Sequence, residues 1–220
     1  MNTDRLIERL ATNLEPVKPL RAPAKRAGWF VLAAVAYVAV LIALLARPGL
    51  ASRGADLAVL APQLAALAAS LLAANAAFAS VVPGRGVSAL IWGALGVAAW
   101  IAAFVAASLA PASQHAAVLA ARHEGWCVAV ILVGAAPLLA ALGALLRRGA
   151  PLRPRAAAAF GAISIASLTN AAACVWAAHA DRLSELIWHG AAILVLLIGC
   201  VLAAPFVLRW RASSGSGLTA

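Results

Sequence analysis

Six long stretches of the chain contain no Asp, Glu, Lys or Arg, and all 17 basic and 7 acidic residues lie between or beyond them. A helix needs about 20 apolar residues to cross the hydrocarbon core of a bilayer. Only helices and closed barrels satisfy their own backbone hydrogen bonds there. The sequence therefore predicts an all-α integral membrane bundle of six transmembrane helices. The six stretches are 29–46, 57–82, 87–110, 126–146, 156–178 and 186–208.

Composition agrees with the membrane class. Of the 220 residues, 65% are hydrophobic, and the mean hydropathy is +0.98, which is outside the range of a soluble domain. We expect three parts: a cytoplasmic N-terminal segment (1–28), a six-helix transmembrane domain (29–208) and a cytoplasmic C-terminal tail (209–220). The first apolar run starts near residue 29, so we expect it to remain as an anchor rather than to be removed as a signal peptide.

The distribution of positive charge predicts the orientation. Thirteen of the 17 Lys and Arg residues lie in the two tails and in the second and fourth connections. By the positive-inside rule, both termini face the cytoplasm, and the chain is a multi-pass protein of the bacterial inner membrane. In a membrane protein the distribution of the +10 net charge matters more than its sum, and we expect contact with membrane lipid and no direct binding to nucleic acid.

The N-terminal segment begins with a short amphipathic pattern. Asn2 or Thr3 can cap a helix of about 12 residues, which is marginal alone in water. Its apolar stripe is Leu6, Ile7, Leu10 and Leu14, and charged side chains beside the stripe include Arg5, Glu8 and Arg9. Three prolines follow, so we expect residues 15–27 to form an extended basic tether.

Three interpretations of this helix are open. It can bind a partner protein, lie on the inner leaflet through its apolar stripe, or be a disordered leader whose periodicity is accidental. The acidic residues Asp4, Glu8 and Glu15 are repelled by an anionic membrane surface and favour a protein partner.

The spans contain little that supports catalysis or ion coupling. No charged residue lies inside a span, although ion-coupled transporters usually need one. No acid, base and nucleophile can be assembled from the buried residues, so we expect neither an enzyme nor a cofactor. We expect Gln63, Asn75 and Asn170 to make hydrogen bonds between helices.

Cysteines and histidines gather near the outer connections. Cys127 and Cys174 have similar predicted depths, whereas Cys200 lies about 20 Å deeper. The four histidines, all in or beside outer connections, are His115, His123, His179 and His189. Such a cluster can bind a soft or borderline metal ion, or its thiols can be oxidised. The alternative is that the cysteines are small apolar packing residues and the histidines are wet interfacial residues.

Several short motifs, taken in order, resemble the NrsF family of six-span bacterial anti-sigma factors. They are TDRLIERL at 3–10, PVKPL at 16–20, SVVPGR at 80–85, GWC at 125–127, RRGAP at 147–151, WH at 188–189 and RW at 209–210. The resemblance covers nearly the whole chain. It implies that the N-terminal helix sequesters an extracytoplasmic-function sigma factor until an envelope stress, such as a heavy metal or oxidant, releases it.

The resemblance also implies roles for particular residues. The apolar stripe would enter a groove on the sigma factor while Arg5, Glu8 and Arg9 set its register. The family places a cysteine at the start of the fourth span, matched by Cys127, and a second cysteine in a His-Cys pair after the fifth. Here that pair is His179-Ala180, so Cys174 is the candidate replacement in a signal-sensing group with Cys127 and His179. Cys127 and His179 are also the candidate ligands for a metal signal.

A different class of function is the alternative. The chain would then be a small transporter or channel for an uncharged solute, or an assembly subunit of a larger membrane complex. Deletion of residues 2–15 discriminates these functions, because a transporter keeps its flux without the segment whereas an anti-sigma factor loses repression.

Overall fold

A computed structural model describes residues 3–12, 20–45, 57–84, 87–109, 124–149, 152–176 and 182–208. These ranges contain seven helices and no strand. The helices are α1 (Thr3–Thr12), α2 (Pro23–Leu45), α3 (Leu57–Ala79), α4 (Ser88–Leu109), α5 (Glu124–Leu146), α6 (Pro154–Trp176) and α7 (Arg182–Val207). Helices α2 to α7 are long and apolar enough to cross a membrane, which confirms the predicted all-α, six-span architecture.

The start of α2 differs from the prediction. Residues 20–22 are not helical, as expected for the tether, but the helix begins at Pro23 rather than near Trp29. Proline fits the first helical position because its fixed φ suits the helix and its missing N–H has no intrahelical acceptor there. The expected extended tether at 15–27 is therefore wrong for residues 23–27. Lys25 and Arg26 belong to the first turn of α2.

Helix α6 is the centre of the bundle. It packs against α2, α3, α5 and α7, and 67% of its spanning part is buried, against 17% for α4 and for α7. Its buried face carries small polar residues whose hydroxyl groups are satisfied. Ser164 forms a 3.1 Å hydroxyl pair with Ser70 of α3, and Thr169 donates to the carbonyl oxygen of Ile165 at 3.2 Å. A helix with this polar content tolerates the membrane interior because its neighbours cover it.

Small residues bring α3 and α4 close together. A Cβ added at Gly93 would lie 2.7 Å from the Cβ of Ala76, and one added at Gly96 would lie 2.7 Å from Leu72 Cδ1. The Cβ of Ala76 cannot turn away from a side chain at Gly93, and the Leu72 side chain would have to shift to admit one at Gly96. Close approach at glycines is the usual way in which helices gain packing energy in lipid, where apolar surface alone gives no driving force.

The antiparallel helices give the bundle two chemically different ends. At one end, the corner after α3 meets the corner after α5, where Gly149 packs directly on Val81. This end, which we call the basic end, includes the start of α2 and carries exposed Lys25, Arg147, Arg148, Arg153 and Arg155. At the opposite end, α5 and α7 begin and α6 finishes. Ile131, Ala173 and Ala192 pack together there.

Candidate functional site

A buried polar cluster joins α6 to α7 near the opposite end of the bundle. His189 Nδ1 lies 2.9 Å from Asn170 Oδ1, and both side chains are almost fully buried, at 1% and 2% exposure. Asn170 Nδ2 donates to Cys174 Sγ at 3.7 Å, and the same sulfur lies 3.8 Å from His189 Nδ1. We refer to Asn170, Cys174 and His189 as the polar cluster.

The hydrogen bonds assign the proton of the imidazole. In this orientation of the amide, Asn170 Oδ1 can only accept, so the 2.9 Å contact requires that His189 Nδ1 carries the hydrogen. The amide nitrogen of Asn170 then points its hydrogen toward Cys174 Sγ. Asn170 and Cys174 are four residues apart on α6, which places them on one face of the helix, one turn apart. The arrangement holds the sulfur beside two polar groups inside a largely apolar bundle.

Aromatic side chains of α4 hold the imidazole from another side. The Phe104 ring is nearly parallel to the His189 ring, with an interplanar angle of 5° and centroids 6.5 Å apart. Trp100, which is buried, stacks on Phe104 at the same centroid distance. The position of His189 is therefore determined by α4 and α6 together. A change at the polar cluster would alter the contacts among α4, α6 and α7.

The burial of His189 corrects the interfacial alternative for this histidine. Helix α7 starts at Arg182, so His189 lies seven residues, or about 10 Å, along it and points into the bundle. His115, His123 and His179 lie outside the described residues. The expectation that Asn170 bonds between helices is confirmed, because its partner His189 belongs to α7.

The three cysteines occupy different surroundings. Cys127 is buried on α5, Cys174 belongs to the polar cluster, and Cys200 packs against the main core. None of them forms a disulfide with another described residue. Within the described ranges, no group of three or more His, Cys, Asp or Glu side chains has the spacing of a metal site. Of the candidate metal ligands Cys127 and His179, only Cys127 lies within those ranges.

Helix α1 presents apolar side chains to solvent. It begins at Thr3 as predicted, with Asp4 in the first turn, where a negative charge suits the helix dipole. Leu6 is 40% exposed and Ile7 is 59% exposed, while Arg5 and Glu8 are exposed beside them. Arg9 and Leu10 lie within the helix, and Leu14 is outside the described residues. An exposed apolar pair on a charged helix fits both a segment that binds a partner protein and one that lies on a membrane surface.

A comparison with models of protein families identifies the family to which this chain belongs. The model for NrsF, described as negative regulator of sigma F, matches residues 10–210. The chain belongs to the NrsF family. No curated protein and no solved structure gave a significant match.

The NrsF match divides the candidate residues into two groups. It includes Cys127, Cys174, His179 and His189, and all six spanning helices. It begins at Leu10, so the first two turns of α1, with Leu6 and Ile7, precede the matched region. The match therefore covers the whole bundle together with Leu10 and Leu14 of the apolar stripe.

From the sequence alone, His189 belongs to the outer cysteine and histidine cluster but not to the signal-sensing group. The signal that points to His189 is the pair Asn170 and Cys174, whose spacing of four places two polar side chains on one face of an apolar helix. Such a face needs a polar partner inside the membrane, and His189 is the strongest hydrogen-bonding group in the neighbouring span.

Proposed function

We propose that this NrsF-family chain is a membrane-bound anti-sigma factor of the bacterial inner membrane, with both termini in the cytoplasm. Its N-terminal helix would sequester an extracytoplasmic-function sigma factor and keep it from RNA polymerase. The observation that carries the proposal is the family match over residues 10–210, in a chain whose aqueous N-terminal helix exposes Leu6 and Ile7. The positive charge at the basic end supports the orientation.

Docking would use the apolar stripe of α1. Leu6, Ile7, Leu10 and Leu14 would enter a hydrophobic groove, as amphipathic helices do, and Arg5, Glu8 and Arg9 would fix the register. A helix of this length is marginal alone in water, so binding would also complete its folding. The bound sigma factor would then be held at the membrane surface.

Release would begin at the opposite end of the bundle. We propose that Cys127, Cys174 and His179 sense the signal, an envelope stress such as a heavy metal or an oxidant. Cys174 is supported by its contacts, since its sulfur touches Asn170 and His189, and any ligand on the sulfur would displace both. Displacement of His189 would in turn loosen α7 from α4 and α6. The signal would thus shift the bundle between two packings that differ in affinity for the sigma factor.

The docking proposal is tested with two alanine variants on the same helix. Ile7→Ala removes an exposed apolar side chain from the stripe, and the matched control Thr12→Ala removes an exposed side chain from the other face. Loss of one interfacial Ile usually costs about 1–3 kcal/mol, which is about a 5–150-fold weaker complex. We expect sigma binding in a pull-down, and repression in a reporter strain, to fall for Ile7→Ala alone. Equal binding by both variants would reject the docking role of α1.

Deletion of residues 2–15 distinguishes the two classes of function. An anti-sigma factor loses repression while the bundle still inserts into the membrane. If repression persists in the deletion strain and a solute flux depends on the intact bundle, the chain is a transporter or channel instead.

The sensing proposal is tested with Cys174→Ser. The matched control is Cys200→Ser, which removes a half-buried thiol far from the polar cluster. We expect cadmium or an oxidant to release the sigma factor in the Cys200→Ser strain and in the wild type, but not in the Cys174→Ser strain. Unchanged release in Cys174→Ser would remove this residue from the sensing group, and the same experiment on Cys127→Ser would test the other thiol.

A further inference from the structure

Arg26 lies where the N-terminal segment joins the bundle. It is in the first turn of α2, at the basic end, and its Nη2 donates a 2.7 Å hydrogen bond to the carbonyl oxygen of Leu145. Leu145 belongs to the last turn of α5, which ends at Leu146. The last carbonyl groups of a helix lack intrahelical donors and carry partial negative charge, so a guanidinium is a favourable partner for them.

The same guanidinium covers an aromatic ring of a third helix. Arg26 Cζ lies 4.6 Å from the centroid of the Phe78 ring, and Phe78 is fully buried in the last turn of α3. Phe30, one turn along α2, meets the same ring edge-on at a centroid distance of 6.3 Å. Arg26 thereby joins the beginning of α2 to the ends of α3 and α5, through a hydrogen bond and a cation–π contact.

Two features make this junction easy to displace. Arg26 Nη1 is buried and has no hydrogen-bond partner among the described residues, which is costly for a charged donor. Arg148, just beyond the end of α5, lies close enough for its positive charge to repel that of Arg26. The hydrogen bond and the cation–π contact therefore hold Arg26 in place, whereas its unpartnered Nη1 and the repulsion by Arg148 favour its displacement.

We infer that Arg26 is a latch that holds the first turn of α2, and with it the N-terminal segment, against the ends of α3 and α5. Helix α5 runs the length of the bundle, from Cys127 at the opposite end to Leu145 at the latch. A small shift of α5 along its axis withdraws the Leu145 carbonyl from Arg26, and the first turn of α2 is released. The latch deepens the proposed function and rests on it, because the segment it positions is the proposed docking helix.

The latch itself is measured without any sigma factor. We compare amide hydrogen exchange over residues 26–30, the first N–H groups of α2 that have backbone acceptors, in the full-length protein, reconstituted in lipid nanodiscs, for wild type, Arg26→Met and Lys25→Met. Lys25→Met is the matched control, since it removes an exposed cation from the same turn. We expect exchange to rise about tenfold in Arg26→Met, the effect of losing a hydrogen bond from a charged donor, and to stay unchanged in Lys25→Met. Equal exchange in all three proteins would overturn the latch.

A second pair of variants tests whether amide exchange falls when the charge that repels Arg26 is removed. Arg148→Met removes the repelling charge and leaves every contact of Arg26 in place, so exchange over residues 26–30 should fall. Arg147→Met is the control, because this neighbouring arginine is also exposed but is not the charge that acts on Arg26. Both side chains lie at the surface, so neither variant threatens folding. Faster exchange in Arg148→Met, or an equal change in both variants, would contradict the latch.

Repression assays connect the latch to signalling and separate the two proposals. We expect Arg26→Met to weaken repression with α1 intact, and Arg148→Met to require more inducer for release. Normal repression in Arg26→Met, despite faster exchange, would show that the latch fixes α2 without positioning the docking helix, and would overturn the coupling. If Ile7→Ala has no effect on repression, the docking proposal fails whatever the exchange data show for Arg26.

Discussion

The His189 imidazole of α7 and the Asn170 amide of α6 meet at 2.9 Å in a region where both side chains are excluded from solvent. In lipid, a polar group that loses its partner has no water to replace it. The pair therefore fixes the rotation of α7 against the central helix, which apolar contacts alone would leave poorly determined.

Asn170→Leu should destabilise the bundle. The substitution keeps the branched heavy-atom skeleton of the side chain but leaves His189 Nδ1–H without its amide acceptor, and hydrogen bonds measured between membrane helices give a loss of about 0.6–2 kcal/mol. The loss is measured as the difference in the free energy of unfolding between the variant and the wild type, in mixed micelles of SDS and a mild detergent.

The double variant Asn170→Leu with His189→Leu is the matching control. Removal of both partners leaves no orphaned polar group, so we expect it to be more stable than the sum of the two single losses predicts. Strictly additive losses would mean that the two side chains do not depend on each other.

Gly149→Ala should lower the thermal stability of the protein. The added Cβ would lie 2.8 Å from Val81 Cγ2 and 3.0 Å from the Val81 carbonyl oxygen, so the two corners at the basic end would have to separate. Overpacking of this kind costs about 1–3 kcal/mol. Gly199→Ala is the control, because nothing lies within 4 Å of its added Cβ and alanine favours the helix. A scanning fluorimetry experiment that gave both variants the same melting temperature would contradict the close contact of the corners.

Two exposed leucines provide a test of orientation. Leu109 ends α4 at 65% exposure, and Leu152 precedes α6 at the basic end with 63% exposure. In a background with Cys127, Cys174 and Cys200 replaced by serine, a membrane-impermeant maleimide should label Leu109→Cys on intact spheroplasts. Leu152→Cys should react only after the membrane is opened. The reverse pattern would place the basic end, and the N-terminal segment, outside the cell and reject the regulatory proposal.

Most of the bundle could be predicted from the sequence because the spans are bounded by charge. Five of the six helices both begin and end within a few residues of the expected positions. The error at α2 arose because Lys25 and Arg26 interrupt the apolar run, although a helix can continue through residues whose charged ends reach the interface. The start of α1 was predictable because Asn2 and Thr3 are capping residues and the apolar residues that follow recur at helical spacing.

The inward direction of His189 could not be predicted in the same way. Helix α7 is apolar on nearly all sides, so its sequence carries no amphipathic signal that tells which face meets α6. The rotation is decided by a single polar contact with a residue 19 positions away. The role of Arg26 was hidden for a related reason, since its partners Phe78 and Leu145 belong to helices distant in the sequence.

The central position of α6 has a consequence for biosynthesis. With a mean hydropathy of 1.5, this span is less apolar than α2, α4, α5 and α7, and its serines, threonine and Asn170 are poorly suited to contact with acyl chains. Translation delivers α2, α3 and α5 to the membrane before α6 emerges from the ribosome. Three of the four helices that surround it are thus already present to receive it, and only α7 arrives later to close the remaining side.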